Sequence, residues 1–155
     1  MDNQVVGHFL DGRLVKGRCF DFSPATPTCH IQLPSKEQVA VRLTDLKALF
    51  VVKSLQGDRT YQESQAIHPA DPRRVSARPV SVRFRDGETI VGLVTAYSDE
   101  RPFFFLLPAD QRSNNVRILV NRQAAVAVTL LPGLPTESRE PQQPTPVAAG
   151  PRRLA

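Results

Sequence analysis

An internal repeat constrains this chain more than any other feature. Shifted by 75 residues, the sequence places Val5 on Val80, Phe9 on Phe84, Asp11-Gly12 on Asp86-Gly87, Gly17 on Gly92, Ser23 on Ser98 and Pro27 on Pro102. A two-residue insertion then carries Val39, Val41 and Leu43 onto Val116, Ile118 and Val120, and Leu49 and Val51 onto Val126 and Val128. A duplicated chain builds two copies of one small unit rather than a single large core. The units run over 4–53 and 79–131, with a linker at 54–78 and a tail at 132–155.

Each unit reads as β. Asp-Gly between two alternating apolar runs is a strong hairpin signal, expected as a type I′ turn. The strands of the first unit are predicted at Val5 to Leu10, Arg13 to Phe22, Thr28 to Leu33, Val39 to Leu43 and Lys47 to Val52, and the second unit repeats them. Gly17 and Gly92 lie inside the second strand, where glycine permits a sharp bend. Five short strands with a bent second strand describe a barrel of about 50 residues, so the expected fold is all-β, two tandem five-stranded small barrels.

Alternation fixes the inward face, because one parity is apolar in both units. That parity holds Val15, Gly17, Cys19, Cys29, Ile31, Val39, Val41, Leu49 and Val51, with Ile90, Gly92, Val94, Phe104, Leu106, Val116, Ile118, Val126 and Val128 in the second unit. The outward side of the third strand is Thr28, His30 and Gln32 in the first unit but Phe103, Phe105 and Leu107 in the second. An exposed apolar stripe is costly. It is expected to be an interface covered by the first barrel through outward Phe50 and Val52.

In the linker, Thr60-Tyr61-Gln62-Glu63 fits a capping box that starts a short helix through about Ile67, ended by Pro69 and Pro72. The last 24 residues hold six Pro, five charges and no aromatic residue, a composition expected to be disordered. No apolar run is long enough to span a membrane, and Met1-Asp2-Asn3-Gln4 lacks the basic start of a signal peptide. A cytoplasmic protein is expected, and two cysteines make no disulfide framework.

The run apolar-x-Phe-x-Asp-Gly-x-x-x-x-Gly-x-apolar resembles the opening of Sm-like and other SH3-like small barrels, in both units. Where the Sm family places the Asp, Asn and Arg-Gly that read RNA bases, this chain holds Ser23 and Pro27, Ser98 and Pro102, and Thr44-Asp45 or Asn121-Arg122. That resemblance therefore implies the barrel and not base reading. The whole arrangement, with Asp21-Phe22-Ser23-Pro24, Ala48-Leu49-Phe50-Val51-Val52-Lys53 and Pro108-Ala109-Asp110-Gln111-Arg112-Ser113-Asn114-Asn115, looks similar to an uncharacterised bacterial family of paired small barrels. It implies a bacterial source. A partial resemblance to PilZ domains rests on Arg74-Val75-Ser76-Ala77-Arg78 and on Asp21-Phe22-Ser23-Pro24-Ala25-Thr26, which lacks the final glycine of the PilZ element. It implies a cyclic di-GMP site at Arg74, Arg78, Asp21 and Ser23, two halves carried by different barrels. The bland alternative is that these are solvated linker charges.

Reactive chemistry is sparse. Cys29 and His30 are adjacent and so point to opposite faces, unlike the short-spaced pairs a zinc site uses. Cys19 and Cys29 share the inward parity and read as buried free thiols. No nucleophile–base constellation or phosphate-cradling glycine loop is present, so neither an enzyme, a metal site nor a cofactor is expected. Seven basic and four acidic residues give the first unit +3, and outward Lys16, Arg18 and Arg42 form a modest basic patch. The expected function is a non-catalytic binding or adaptor module that contacts another protein. The alternative is a nucleotide or nucleic-acid binder using Arg74, Arg78 and that basic face.

Overall fold

A computed structural model describes residues 3–98 and 100–131; the expected tail at 132–155 lies outside them. The described chain is all-β. Its strands are β1 Gln4–Phe9, β2 Leu14–Cys19, β3 Thr28–Gln32, β4 Gln38–Arg42, β5 Leu46–Val52, β6 Arg78–Phe84, β7 Thr89–Val94, β8 Phe103–Pro108, β9 Asn115–Asn121 and β10 Ala125–Leu130.

All ten strands belong to one antiparallel sheet, in the order β10-β6-β7-β8-β9-β5-β1-β2-β3-β4. This differs from two separate five-stranded barrels. Each unit keeps the same internal order, and the units join where β5 pairs with β9, setting Ala48 opposite Val120, Leu49 opposite Leu119 and Phe50 opposite Ile118. That ladder satisfies two rows of backbone groups that isolated units would leave as open edges.

Edge-to-edge joining has a consequence for packing, because successive side chains on a strand face opposite ways. On one face Val5, Leu49 and Val51 of the first unit share a core with Phe103 and Leu119 of the second. On the other face Val6, Ala48, Phe50 and Val52 join Phe104, Leu106, Ile118 and Val120. Each core thus contains side chains of both units. Phe103 is buried, half-buried Phe105 packs on the same core, and Leu107 is half-buried opposite Leu93. Phe50 and Val52, expected to cover this stripe, do not meet it; they lie on the other side of the sheet. Edge pairing extends the stripe's face into the inward face of the first unit, whereas face-to-face docking would have put the stripe on Phe50.

The repeat is in register over the first three strands but shifts by four residues, not two, before the fourth. Val41 lies opposite Cys29 and Val120 opposite Phe104, so Val41 corresponds to Val120. The error is even, so inward and outward parity survive it, except at Val116, expected inward with Ile118, which packs on the other core because the β5–β9 ladder skips it between Asn115 and Arg117. Individual correspondences do not survive. Phe50 lies opposite Val6 and Thr129 opposite Ser81, which makes Thr129 the counterpart of Phe50. Val126, assigned to the core, is 50% exposed, because the ladder skips it between Ala125 and Ala127.

Close approach explains the strand glycines. A Cβ on Gly17 would stand 2.1 Å from the carbonyl oxygen of Gln32, and one on Gly92 would stand 2.2 Å from that of Leu107. The hairpins differ from the type I′ expectation. Gly12 and Gly87 have φ of 94° and 93°, while the aspartates before them keep negative φ. The Gly12 N–H donates to Phe9 at 3.0 Å and the Phe9 N–H to Arg13 at 2.8 Å, and Gly87, Phe84 and Glu88 repeat both bonds. This is a type I turn closed by a left-handed glycine.

The linker helix expected from Thr60 to Ile67 does not form. Its polar groups are spent elsewhere: the Ser64 N–H and the Tyr61 hydroxyl donate to Asp110, Gln65 accepts from the Val91 N–H at 3.1 Å, and Asp58 takes the Thr60 N–H at 2.9 Å. The segment is strapped along the second unit instead. Pro72, expected to stop a helix, opens a 3-10 turn at Pro72–Val75 that is capped by Asp71.

Candidate functional site

The outer face of the first unit carries large apolar side chains exposed to water beside cations. Along β2 the outward parity reads Leu14, Lys16, Arg18 and then Phe20, all exposed, with Leu14 at 52% and Phe20 at 72%. The ladders set Arg18 beside Gln32, Gln32 beside Gln38 and His30 beside Ala40, so the face continues as a polar surface over β3 and β4. Lys16 donates to the Leu55 carbonyl at 3.1 Å, and Arg42 pairs with Asp45 at 3.3 Å. Asp21, just beyond Phe20, accepts the His30 backbone N–H at 2.9 Å and meets the His30 ring at 2.7 Å. Those bonds, the backbone one foremost, hold its carboxyl at about 2. They lock the turn after Phe20 onto β3 and present the ring outward.

Three of the four residues expected at a nucleotide site, Arg74, Asp21 and Ser23, are satisfied locally. The Arg74 guanidinium donates to the carbonyls of His68 at 3.1 Å and Ile67 at 3.3 Å. Asp21 is bound to β3, and the Ser23 hydroxyl accepts from the Ala25 N–H at 3.1 Å. Arg78 is exposed at the start of β6, opposite Val94. Asp21 and Ser23 thus belong to a loop of the first unit, and Arg74 and Arg78 to the entry of the second.

A concavity of 280 Å³ is lined by Lys53, Arg73, Leu107, Pro108, Asp110, Gln111, Asn115 and Val116. It falls just below the size range of small-molecule pockets, about 300 to 1,000 Å³. Its charged groups already bind protein atoms. Arg73 is paired with Asp71 and donates to the carbonyls of Pro108 and Ala109 at 2.8 and 2.9 Å, while Lys53 donates to that of Gln111 at 3.3 Å. This is the anchorage of the linker strap.

Two clusters tie the units together and were not singled out in the sequence. Lys47, only 8% exposed, reaches from β5 to Asp86 at 2.7 Å and to Glu88, both on the β6–β7 hairpin. Its ammonium also sits 4.8 Å over the Phe84 ring. His8, whose ring lies tilted against Phe50, is pushed below its ordinary value by burial and then by the Lys47 charge. The available signal was a lone lysine inside an otherwise apolar run, Leu46 to Val52. In the second cluster the Arg117 guanidinium lies 4.5 Å over Phe105 and 5.2 Å over Phe22.

Cys19 and Cys29 are free and fully buried. The Cys19 thiol is pushed up by its hydrogen bond to Cys29 and by burial. Among the described residues no group of three His, Cys, Asp or Glu could hold a metal ion, and no helix is long and apolar enough to cross a membrane.

Residues 1–132 match a family described as a family of unknown function, DUF6982. No curated protein and no solved structure matches the chain.

Proposed function

Since the chain belongs to the DUF6982 family, whose description carries no activity, we propose a function from its surface: a non-catalytic binding module built of two SH3-like units. In this reading the outer β2–β3 face of the first unit contacts an acidic protein segment that carries an apolar side chain. The observation that carries it is the row Leu14, Lys16, Arg18 and Phe20, in which an exposed aromatic ring stands in line with two cations. Folding does not require that ring, because the equivalent position in the second unit is Thr95. Exposed aromatic and Arg side chains are the usual anchors of protein contacts. Two free buried thiols fit a reducing compartment such as a bacterial cytoplasm.

The same row supports a second reading, binding of single-stranded nucleic acid, in which bases stack on Phe20 while Lys16 and Arg18 follow the phosphates. A cyclic dinucleotide site is less well supported, since Arg74 and Asp21 are engaged with their own neighbourhoods.

Affinity capture from the native host, with and without nuclease, separates the readings. The protein reading expects a captured protein that survives nuclease and is lost from both Phe20→Ser and Arg18→Glu baits. Capture abolished by nuclease, with a labelled oligothymidine bound at low salt and released as salt rises, would replace it with the second reading. Capture indifferent to both substitutions would remove this face from either.

A further inference from the structure

The joint between the units consumes β5, the fifth strand of the first unit, and β9, the fourth strand of the second. Their repeat counterparts, β10 and β4, are the two end strands of the sheet among the described residues. The chain therefore carries, at its extremities, the same pair of strand types that it already joins once in its middle. We propose that a second copy of this chain docks there, β10 of one copy against β4 of the next, in the register of the internal joint.

The register follows from the repeat. Leu49 faces Leu119 and Val51 faces Arg117 across the internal joint. Carried through the correspondence of Val41 with Val120, these pairs become Val128 opposite Ala40 and Leu130 opposite Gln38 of the neighbouring copy. Hydrogen bonding agrees independently. The Leu43 N–H donates inward to the Pro27 carbonyl at 2.9 Å, so alternation turns the backbone groups of Ala40 and Gln38 outward from β4. The Leu131 N–H donates inward to the Pro79 carbonyl at 2.9 Å, which turns those of Val128 and Leu130 outward from β10. The residues that the repeat sets opposite one another are thus the ones whose donors and acceptors point off the sheet.

Burial points the same way. Every residue of β5 is buried. On β10, however, Val126 remains 50% and Leu130 40% exposed, although Val51, the counterpart of Leu130, is fully covered. Neither β4 nor β10 contains a proline, one of the devices that keep sheet edges apart. Because the two edges lie on different units, the contact is head-to-tail and propagates into a ring or an open chain of copies.

Sedimentation velocity of the full chain over a rising concentration series tests this, together with Ala40→Pro and Leu130→Pro. Each proline removes an N–H that points off the sheet and leaves the chain's own ladder intact. The wild-type mass should grow with concentration and each variant should stay monomeric. An equimolar mixture of the two variants should stop at a dimer, since each supplies one competent edge. A wild-type protein that stays monomeric throughout, its edges left bare or covered by 132–155, overturns the proposal. So do variants that assemble like the wild type. If circular dichroism shows that a proline variant has lost its strands, the charge pair Gln38→Glu with Leu130→Glu replaces it. Like charges opposite one another should disperse the assembly, and Gln38→Glu with Leu130→Lys should restore it. An equal effect of the two charge pairs would refute the register.

Discussion

Replacing Phe50 with alanine tests the claim that the two cores are shared between units. Phe50 belongs to the first unit but is 5% exposed within a cluster whose other members include Val80, Val82, Phe84 and Leu106 of the second. Its ring also meets that of His8 in a tilted contact, 4.5 Å between centroids. Deleting a buried phenyl ring costs about 3 to 5 kcal/mol, transfer and cavity together. At about 1.4 kcal/mol per tenfold, the unfolding constant rises on the order of 100- to 4,000-fold. A denaturant titration followed by two reporters measures where that loss falls. The thiols of Cys19 and Cys29 report the core that carries most of the first unit, and amide exchange over β6 and β7 reports the second. Both reporters should shift together and by the same free energy. The reasoning fails if thiol exposure moves while the β6 and β7 amides keep their wild-type protection. It also fails if the total loss is under about 1 kcal/mol, the range of ordinary substitutions.

Other outcomes follow from the buried lysine and the thiols. Lys47→Met should change stability by no more than about 1 kcal/mol, because Asp86 and Glu88, at 55% and 47% exposure, recover water when their partner goes. Asp86→Asn with Glu88→Gln should instead cost about 3 kcal/mol in thermal or chemical denaturation, since it strands a buried ammonium; equal costs for the two changes would contradict this asymmetry. Cys19 and Cys29 should react with a bulky maleimide only at the rate of unfolding, given their burial and the raised Cys19 thiol. Fast labelling of the folded protein would place them outside the core.

The sequence alone determined the duplication, the β class and the parity of nearly every strand. These are local properties: the Asp-Gly hairpins, the strand glycines and the two-residue apolar period are written within a few neighbouring residues. Parity even withstood the misjudged insertion before the fourth strands, since a shift by two leaves every side chain on its own face. Three things were decided only by tertiary structure. The pairing of β5 with β9 is a choice between edges that are equivalent in chemistry and distant in sequence, and it placed Phe50 and Phe103 in different cores. The linker had a sound helix-start signal at Thr60, but Asp110 and Val91 offered its polar groups long-range partners, and those contacts outweighed the local preference. Lys16 and Arg18 of the open face were legible as an outward basic patch, but the exposure of Leu14 and Phe20 beside them was not. Strand alternation marks a side chain as outward, but only the packed structure tells which outward faces are covered by the other unit, as Phe103 is, and which remain exposed to water.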